Sequence, residues 1–210
     1  VNGGKLIVKG DYYIASERQI EDDGAETVGS SYGYLKMVKK DDVVKVSGKF
    51  LDYSRNSHSG YLTNGAMYVE GDFVQKKHSS SNFDATDQHY IIFNGTKKQK
   101  IEFESPGGSG FANVIFDNSD IELESGIRGF TLNEDVKLTI NTEEFGVYGN
   151  VLDLNHHLIG NELKVTTDNF TYTTGELNLS GNVLNITKNM VQSGGKIDLN
   201  GGTINIGQDM

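Results

Sequence analysis

Cysteine and tryptophan are both missing from this 210-residue chain, and Pro106 is its only proline. Without cysteine, disulfides and thiolate metal sites are excluded. The same absence suits secreted and cytosolic proteins alike, so it does not fix a compartment. No apolar run approaches the ~20 residues a helix needs to span a bilayer. Positive charge is short as well: 19 Lys and Arg stand against 29 Asp and Glu, a net charge of −10. An acidic surface repels phosphates and anionic lipids, which argues against nucleic acid as a partner and against membrane insertion. A helical period is lacking too. The stretch Ala15–Glu26 is polar enough for a short helix but has no apolar face, and it reads as a loop.

Glycine (26) and asparagine (19) are abundant, and hydrophobic residues make up a modest 36%. Many turn residues among short apolar pairs indicate an all-β protein of many short strands. The strongest pattern lies in the last forty residues. At an offset of 20, Gly175–Met190 aligns on Gly195–Met210 without a gap. Leu177 meets Ile197, Leu179 meets Leu199, Leu184 meets Ile204, Asn185 meets Asn205 and Ile186 meets Ile206. Each alternating pair is one face of a short strand. The intervening glycines and asparagines suit turns at positive φ. A gapless repeat of this length is the signature of a solenoid, whose units bury their apolar faces only by stacking. A two-sheet sandwich is the alternative fold, but it would not explain the repeat.

The start of the chain carries a related unit. Gly4–Tyr12 recurs as Gly65–Phe73 and, more weakly, as Asp42–Phe50, with the skeleton apolar-x-Val-x-Gly-x-aromatic. In it the valine ends a strand, the glycine makes a corner and the aromatic begins the next face. Gly33-Tyr34-Leu35 and Gly60-Tyr61-Leu62 form a second recurring element. Three polar insertions, 16–31, 52–59 and 76–89, are expected to project from corners. Asn200–Ile206 matches Asn2–Val8, so the end of the chain reads as flowing into another copy of the start. The beginning, in mid-pattern at Val1-Asn2-Gly3-Gly4, adds to the reading of residues 1–210 as one solenoid domain, a fragment of a longer repeat array. Asparagines near corners are expected to pair with their copies in adjacent coils.

Runs such as Gly194–Ile206, and Gly60-Tyr61-Leu62 followed by Val69–Phe73, resemble the β-helical repeat regions of large secreted surface proteins of Clostridium-like and other Gram-positive bacteria. More distantly they resemble solenoids of the filamentous-haemagglutinin type. The resemblance is best over 1–75 and 145–210. It implies a right-handed parallel β-helix, here with coils of roughly 20–25 residues, and a secreted or cell-surface setting. It also implies a stalk, adhesin or display role, and it carries no catalytic residues or cofactor.

Four constellations bear on chemistry. The acids Asp117, Asp120, Glu122 and Glu124, with Glu143 and Glu144, supply carboxylates of the kind polysaccharide-cleaving β-helices use, though alternating acids are also the ordinary solvated face of a strand. Asp22-Asp23-Gly24 and Asp117–Asp120 offer oxygen ligands without matching a calcium loop, and His156-His157 cannot place both rings on one strand face. Ser79, Ser80 and Ser81 with His78, His89, Asp84 and Asp87 contain the residue types of a triad but no strained nucleophile turn. Seven of the ten tyrosines fall in the first third. Tyr34, Tyr53, Tyr61 and Tyr68 are the candidates for stacking on sugar rings, with Tyr34 and Tyr61 aligned by neighbouring coils. Covering of the core by the same rings is the competing reading. The expectation is a non-enzymatic extracellular spacer whose partners are neighbouring repeats and extracellular polysaccharide. Carbohydrate binding through the tyrosine-bearing insertions is the alternative, and polysaccharide cleavage a third.

Overall fold

The computed structural model describes residues 1–130, 136–141, 144–145, 147–148, 151–153, 162–166, 169–172, 176–186 and 189–207. Among them are 24 strands and no helix, so nothing described is a helix long and apolar enough to cross a membrane. Two parallel sheets dominate. The first runs β1 (Lys5–Val8), β5 (Val43–Val46), β7 (Ala66–Val69), β9 (Tyr90–Phe93) and β11 (Asn113–Phe116). The second has nine strands: β2 (Tyr12–Ile14), β6 (Phe50–Asp52), β8 (Phe73–Gln75), β10 (Gln99–Phe103), β12 (Asp120–Leu123), β14 (Lys137–Asn141), β18 (Glu162–Thr166), β21 (Val183–Ile186) and β24 (Thr203–Ile206). Each strand pairs with its counterpart from the next length of chain, and every pairing in both sheets is parallel.

The register follows the sequence repeats. Val8 pairs with Val46, and Val46 with Val69. Tyr12 pairs with Phe50, and Phe50 with Phe73. At the far end β20 (Glu176–Asn178) pairs with β23 (Lys196–Asp198), which, with β17 (Val151–Asp153), make a three-stranded sheet. There Leu177 faces Ile197, while in the second sheet Leu184 faces Ile204 and Ile186 faces Ile206. The Asn185 side chain accepts a hydrogen bond from Asn205 Nδ2 at 2.9 Å, the expected stacked pair, although it sits on a strand rather than at a corner. Asn2–Val8 and Asn200–Ile206 are not equivalent in space, however. Their strands, β1 and β24, belong to different sheets. Each side of the chain's path uses the same glycine-then-alternation grammar, so a sequence match does not fix the side.

Smaller parallel sheets join β13 (Ile127–Arg128) to β16 (Val147–Tyr148), and β15 (Glu144–Phe145) to β19 (Asn169–Tyr172) and β22 (Asn189–Gln192). A third row near the start is held by single parallel bridges, Ser31 with Ser54, Met37 with Leu62, Leu62 with Ala85, and Asp84 with Gly110. One contiguous apolar core runs between these layers from Ile14 to Ile186. Its early part is built of rings. Phe73 touches Phe50, Phe83, Phe93, Phe103 and Phe111 at centroid distances of 4.9–6.3 Å. Its later part, from Val136 to Ile186, is mainly aliphatic.

Two expectations about the insertions change. The segment 16–31 is a hairpin: β3 (Arg18–Ile20) pairs antiparallel with β4 (Glu26–Val28) about Gly24, whose φ of 83° closes the turn. Segments 52–59 and 76–89 do not simply project. Asp52, Ser54, His58, Asn82, Phe83 and His89 are all fully buried. Several of their polar atoms are hydrogen-bonded inside the protein, across to the neighbouring length of chain, as from Leu35 N–H to His58 Nε2 (2.9 Å) and from Ser54 Oγ to Gly33 O (2.5 Å), or within the segment. Ser54 N–H donates to Asp52 Oδ1 (2.9 Å), Gln75 Nε2 donates to Asn82 Oδ1 (2.6 Å), and Asn82 Nδ2 donates to Lys76 O (2.9 Å). A run of polar letters therefore marks an internal hydrogen-bonded layer here.

The early corners also differ from the late ones. Gly48 N–H donates to Gly10 O, and Gly71 N–H to Gly48 O. A Cβ on Gly71 would stand 2.4 Å from the Gly48 carbonyl carbon, so glycine is required there by close backbone approach.

Candidate ligand-binding surface

The third row of chain carries the exposed aromatic surface. Leu35 and Met37 point into the core, so the alternate residues Tyr34 and Lys36 face out. Tyr34 is 52% exposed, and its ring meets Tyr61 with centroids 5.0 Å apart at 41°. Sequence alignment placed Tyr34 over Tyr61, and the rings do meet. The backbone pairs Met37 with Leu62, a register two residues away from the one that Gly-Tyr-Leu suggests. Lys36 Nζ lies 5.3 Å from the Tyr61 ring centroid. One step along the row, Tyr32 is 69% exposed and carries the Arg55 guanidinium 5.1 Å above its ring. Arg55 Nε also donates to Ser30 Oγ at 2.8 Å, and Asn56 Nδ2 donates to Tyr32 O. Among the described residues neither Lys36 nor Arg55 has a carboxylate partner at ion-pair distance, whereas Lys49, Lys76, Lys98, Lys100, Arg18 and Arg128 each do.

The other two candidates lie elsewhere. Tyr68 belongs to β7 in the first sheet, where Lys45 Nζ caps its ring at 4.9 Å. Tyr53 is half-buried, with its ring 6.3 Å from that of His78. The structure thus brings two of the four tyrosines together. Lys36 and Arg55 carry no local signal in the sequence, because their neighbours are set by the cross-chain register and not by local spacing.

The remaining constellations are accounted for by packing. Asp84 accepts from Arg128 at 2.9 Å and from Ser59 Oγ at 2.6 Å. His89 is buried with neither ring nitrogen hydrogen-bonded, and burial pushes its pKa down to about 4. Ser80 is held through its carbonyl, which accepts from Ser109 Oγ at 2.9 Å. Glu122 is not a freely solvated carboxylate: it lies buried beside Lys98 at 3.0 Å, and Glu124 pairs with Lys100. Asp23 Oδ1 accepts from Ala25 N–H within the hairpin turn, and Asn118 Oδ1 from Asp120 N–H. Among the described residues no three His, Asp or Glu side chains gather as a metal site. Glu143, His156 and His157 lie outside the described residues, and Glu144 is placed only as part of β15.

The most distinctive buried pair is Asp52 and His58. Both are fully buried, with Oδ2 3.4 Å from Nδ1. Leu35 N–H donates to His58 Nε2 at 2.9 Å, so a neutral ring carries its proton on Nδ1. Burial raises the Asp52 pKa to about 8 and lowers that of His58 to about 4. The 3.4 Å gap is longer than a charge-assisted hydrogen bond, and neither atom has a hydrogen-bond partner.

No protein-family model, curated protein or solved structure matches this chain.

Proposed function

We propose that this chain is an extracellular structural segment, a right-handed parallel β-helix that spaces or displays other domains on a bacterial surface protein. The observation that carries the reading is the pairing register. Parallel strands from successive lengths of chain stack residue on residue, down to the 20-residue step that sets Leu177 on Ile197 and Leu184 on Ile204. Such stacking gives a body of fixed length, and the second sheet's nine strands, at ~4.8 Å each, span about 40 Å. The absence of native cysteine makes a direct test simple. With dyes on cysteines replacing Lys9 and Asn205, single-molecule energy transfer should give one narrow distance distribution near that length. A broad distribution, like that of a flexible linker, would remove the spacer reading.

A second reading is favoured by one specific observation, the Tyr34–Tyr61 ring pair, in which Tyr34 is exposed and Tyr61 half-buried. Aromatic faces of this kind stack on the C–H faces of sugars, and the patch would let the segment adhere to polysaccharide. Screening against bacterial, plant and host glycans, with calcium and with chelator, should find a signal that disappears in the variant carrying Tyr34→Ala and Tyr61→Ala. Silence across the panel would leave the spacer role alone. Release of reducing or unsaturated sugar ends would overturn the non-enzymatic assignment.

A further inference from the structure

We infer that the third-row patch recognises an anionic polysaccharide, its tyrosines stacking on sugar rings while Lys36 and Arg55 bind carboxylate or sulfate groups. The inference rests on the carbohydrate-binding reading above and names the ligand class.

The chain carries a net charge of −10, and Lys49, Lys76, Lys98 and Lys100 are each tied to a carboxylate. Lys36 and Arg55 are not, although both are exposed. Each instead lies over a tyrosine ring, at 5.3 Å and 5.1 Å. A ring face offers a cation a weak partner that does not neutralise it. The ammonium and guanidinium groups are therefore positioned and still able to bind an anion. Arg55 is further held by Ser30 Oγ and by the Tyr32 hydroxyl, at 2.8 Å and 3.3 Å. A guanidinium oriented in this way presents a planar fork suited to carboxylate or sulfate.

Asp84 is the residue that follows Tyr61 in the bridged register. Its carboxylate is already taken by Arg128 and Ser59, so it does not quench the lysine. The patch thus combines exposed ring faces with two uncompensated cations along one row of parallel chain. That row offers a linear ligand repeated contacts at the spacing of adjacent lengths of chain, 5.0 Å between Tyr34 and Tyr61. The acidic remainder of the surface would repel a polyanion, confining contact to this row and making it sensitive to salt.

The test is calorimetric titration of the intact chain with four probes: an oligogalacturonate, a heparin oligosaccharide, a neutral cello-oligosaccharide and poly-glutamate. Binding of the oligogalacturonate or of the heparin fragment, but not of the neutral sugar, is expected; oligogalacturonate binding shows that carboxylate suffices, and binding of heparin alone shows that sulfate is required. The variant carrying Lys36→Gln and Arg55→Gln should lose about tenfold or more in affinity. The charge-preserving Lys36→Arg should keep it. Both positions are exposed, so far-UV circular dichroism and melting temperature should be unchanged. If the neutral sugar binds equally and the glutamine variant is unaffected, the anionic assignment falls while carbohydrate binding stands. If no oligosaccharide binds, both fall. If poly-glutamate binds as tightly as the sugars, the site reads charge alone and the glycan assignment falls.

Discussion

Asp52, His58 and His89 make stability depend on pH in two opposite ways. Burial holds both histidines near a pKa of 4, against 6.5 for a free ring. The unfolded chain therefore binds two more protons than the folded one between those values, and the stability they contribute is lost as pH falls from 6.5 through 4. Asp52 runs the other way. Its pKa of about 8, raised from 3.8 by burial, gives stability that is full at low pH and lost as pH rises through 8. Below pH 6.5 the two histidines outweigh the one aspartate; above it the aspartate acts alone. Urea unfolding followed across the pH range should peak near pH 6.5 and fall by about 2 kcal/mol toward pH 8. Asp52→Asn should flatten the alkaline limb and steepen the acid limb, because the aspartate's opposing contribution between pH 4 and 6.5 is gone; a wild-type curve still rising at pH 8 would refute the assignment. At the Gly71 corner the cost is steric. Gly71→Ala drives a methyl into Gly48 and Lys49 backbone atoms at 2.4–2.7 Å and should cost about 2–3 kcal/mol, measured as a shift in urea midpoint.

The hairpin β3–β4 is attached to the second sheet mainly through one carboxylate. Glu26 accepts from the Tyr13 hydroxyl (2.7 Å), Arg18 Nε (2.6 Å) and Lys49 Nζ (3.1 Å). Burial opposes its ionisation, but these donors outweigh it and hold its pKa down to about 2. Its contribution is thus present above pH 4.5 and is lost only as pH falls through 2. Glu26→Ala should speed amide exchange across 17–28 while moving the melting temperature little, since the partners are partly exposed; unchanged exchange would show the hairpin is held otherwise. The interior around Phe73 behaves differently: Phe73→Ala removes the ring that five others touch and should cost about 3–5 kcal/mol by chemical denaturation. Strand pairing was readable in the sequence wherever alternation and glycine recurred together, as in Val8–Val46–Val69 and Leu184–Ile204. The hairpin was not, because Arg18–Ile20 and Glu26–Val28 have no apolar face of their own. Nor was the internal polar layer. Asp52, His58 and Asn82 look like loop residues until the register supplies their partners. The tyrosine patch was half readable for the same reason: Tyr34 and Tyr61 sit in matching tripeptides, whereas Arg55 reaches Tyr32 only across the chain.

Along the whole molecule protection should be graded. Of the middle strands β7 to β12, all but β11 are flanked on both sides by paired strands, and they enclose buried rings, while β22 and β24 are largely exposed. A molecule built from nearest-neighbour contacts frays from its less covered end. Hydrogen exchange read by mass spectrometry should be slowest from 66 to 123 and fastest from 189 to 207; uniform protection would contradict this picture. The segregation of ring types has a further consequence. Phenylalanine fills the early interior, and among the described tyrosines only Tyr12 packs against the core. With no tryptophan to mask them, the two chromophores report on different places. Near-ultraviolet dichroism from phenylalanine follows the tightness of the interior, and tyrosine emission follows events on the outer faces. Occupancy of the third row can therefore be watched by light in the unlabelled protein, separately from its unfolding.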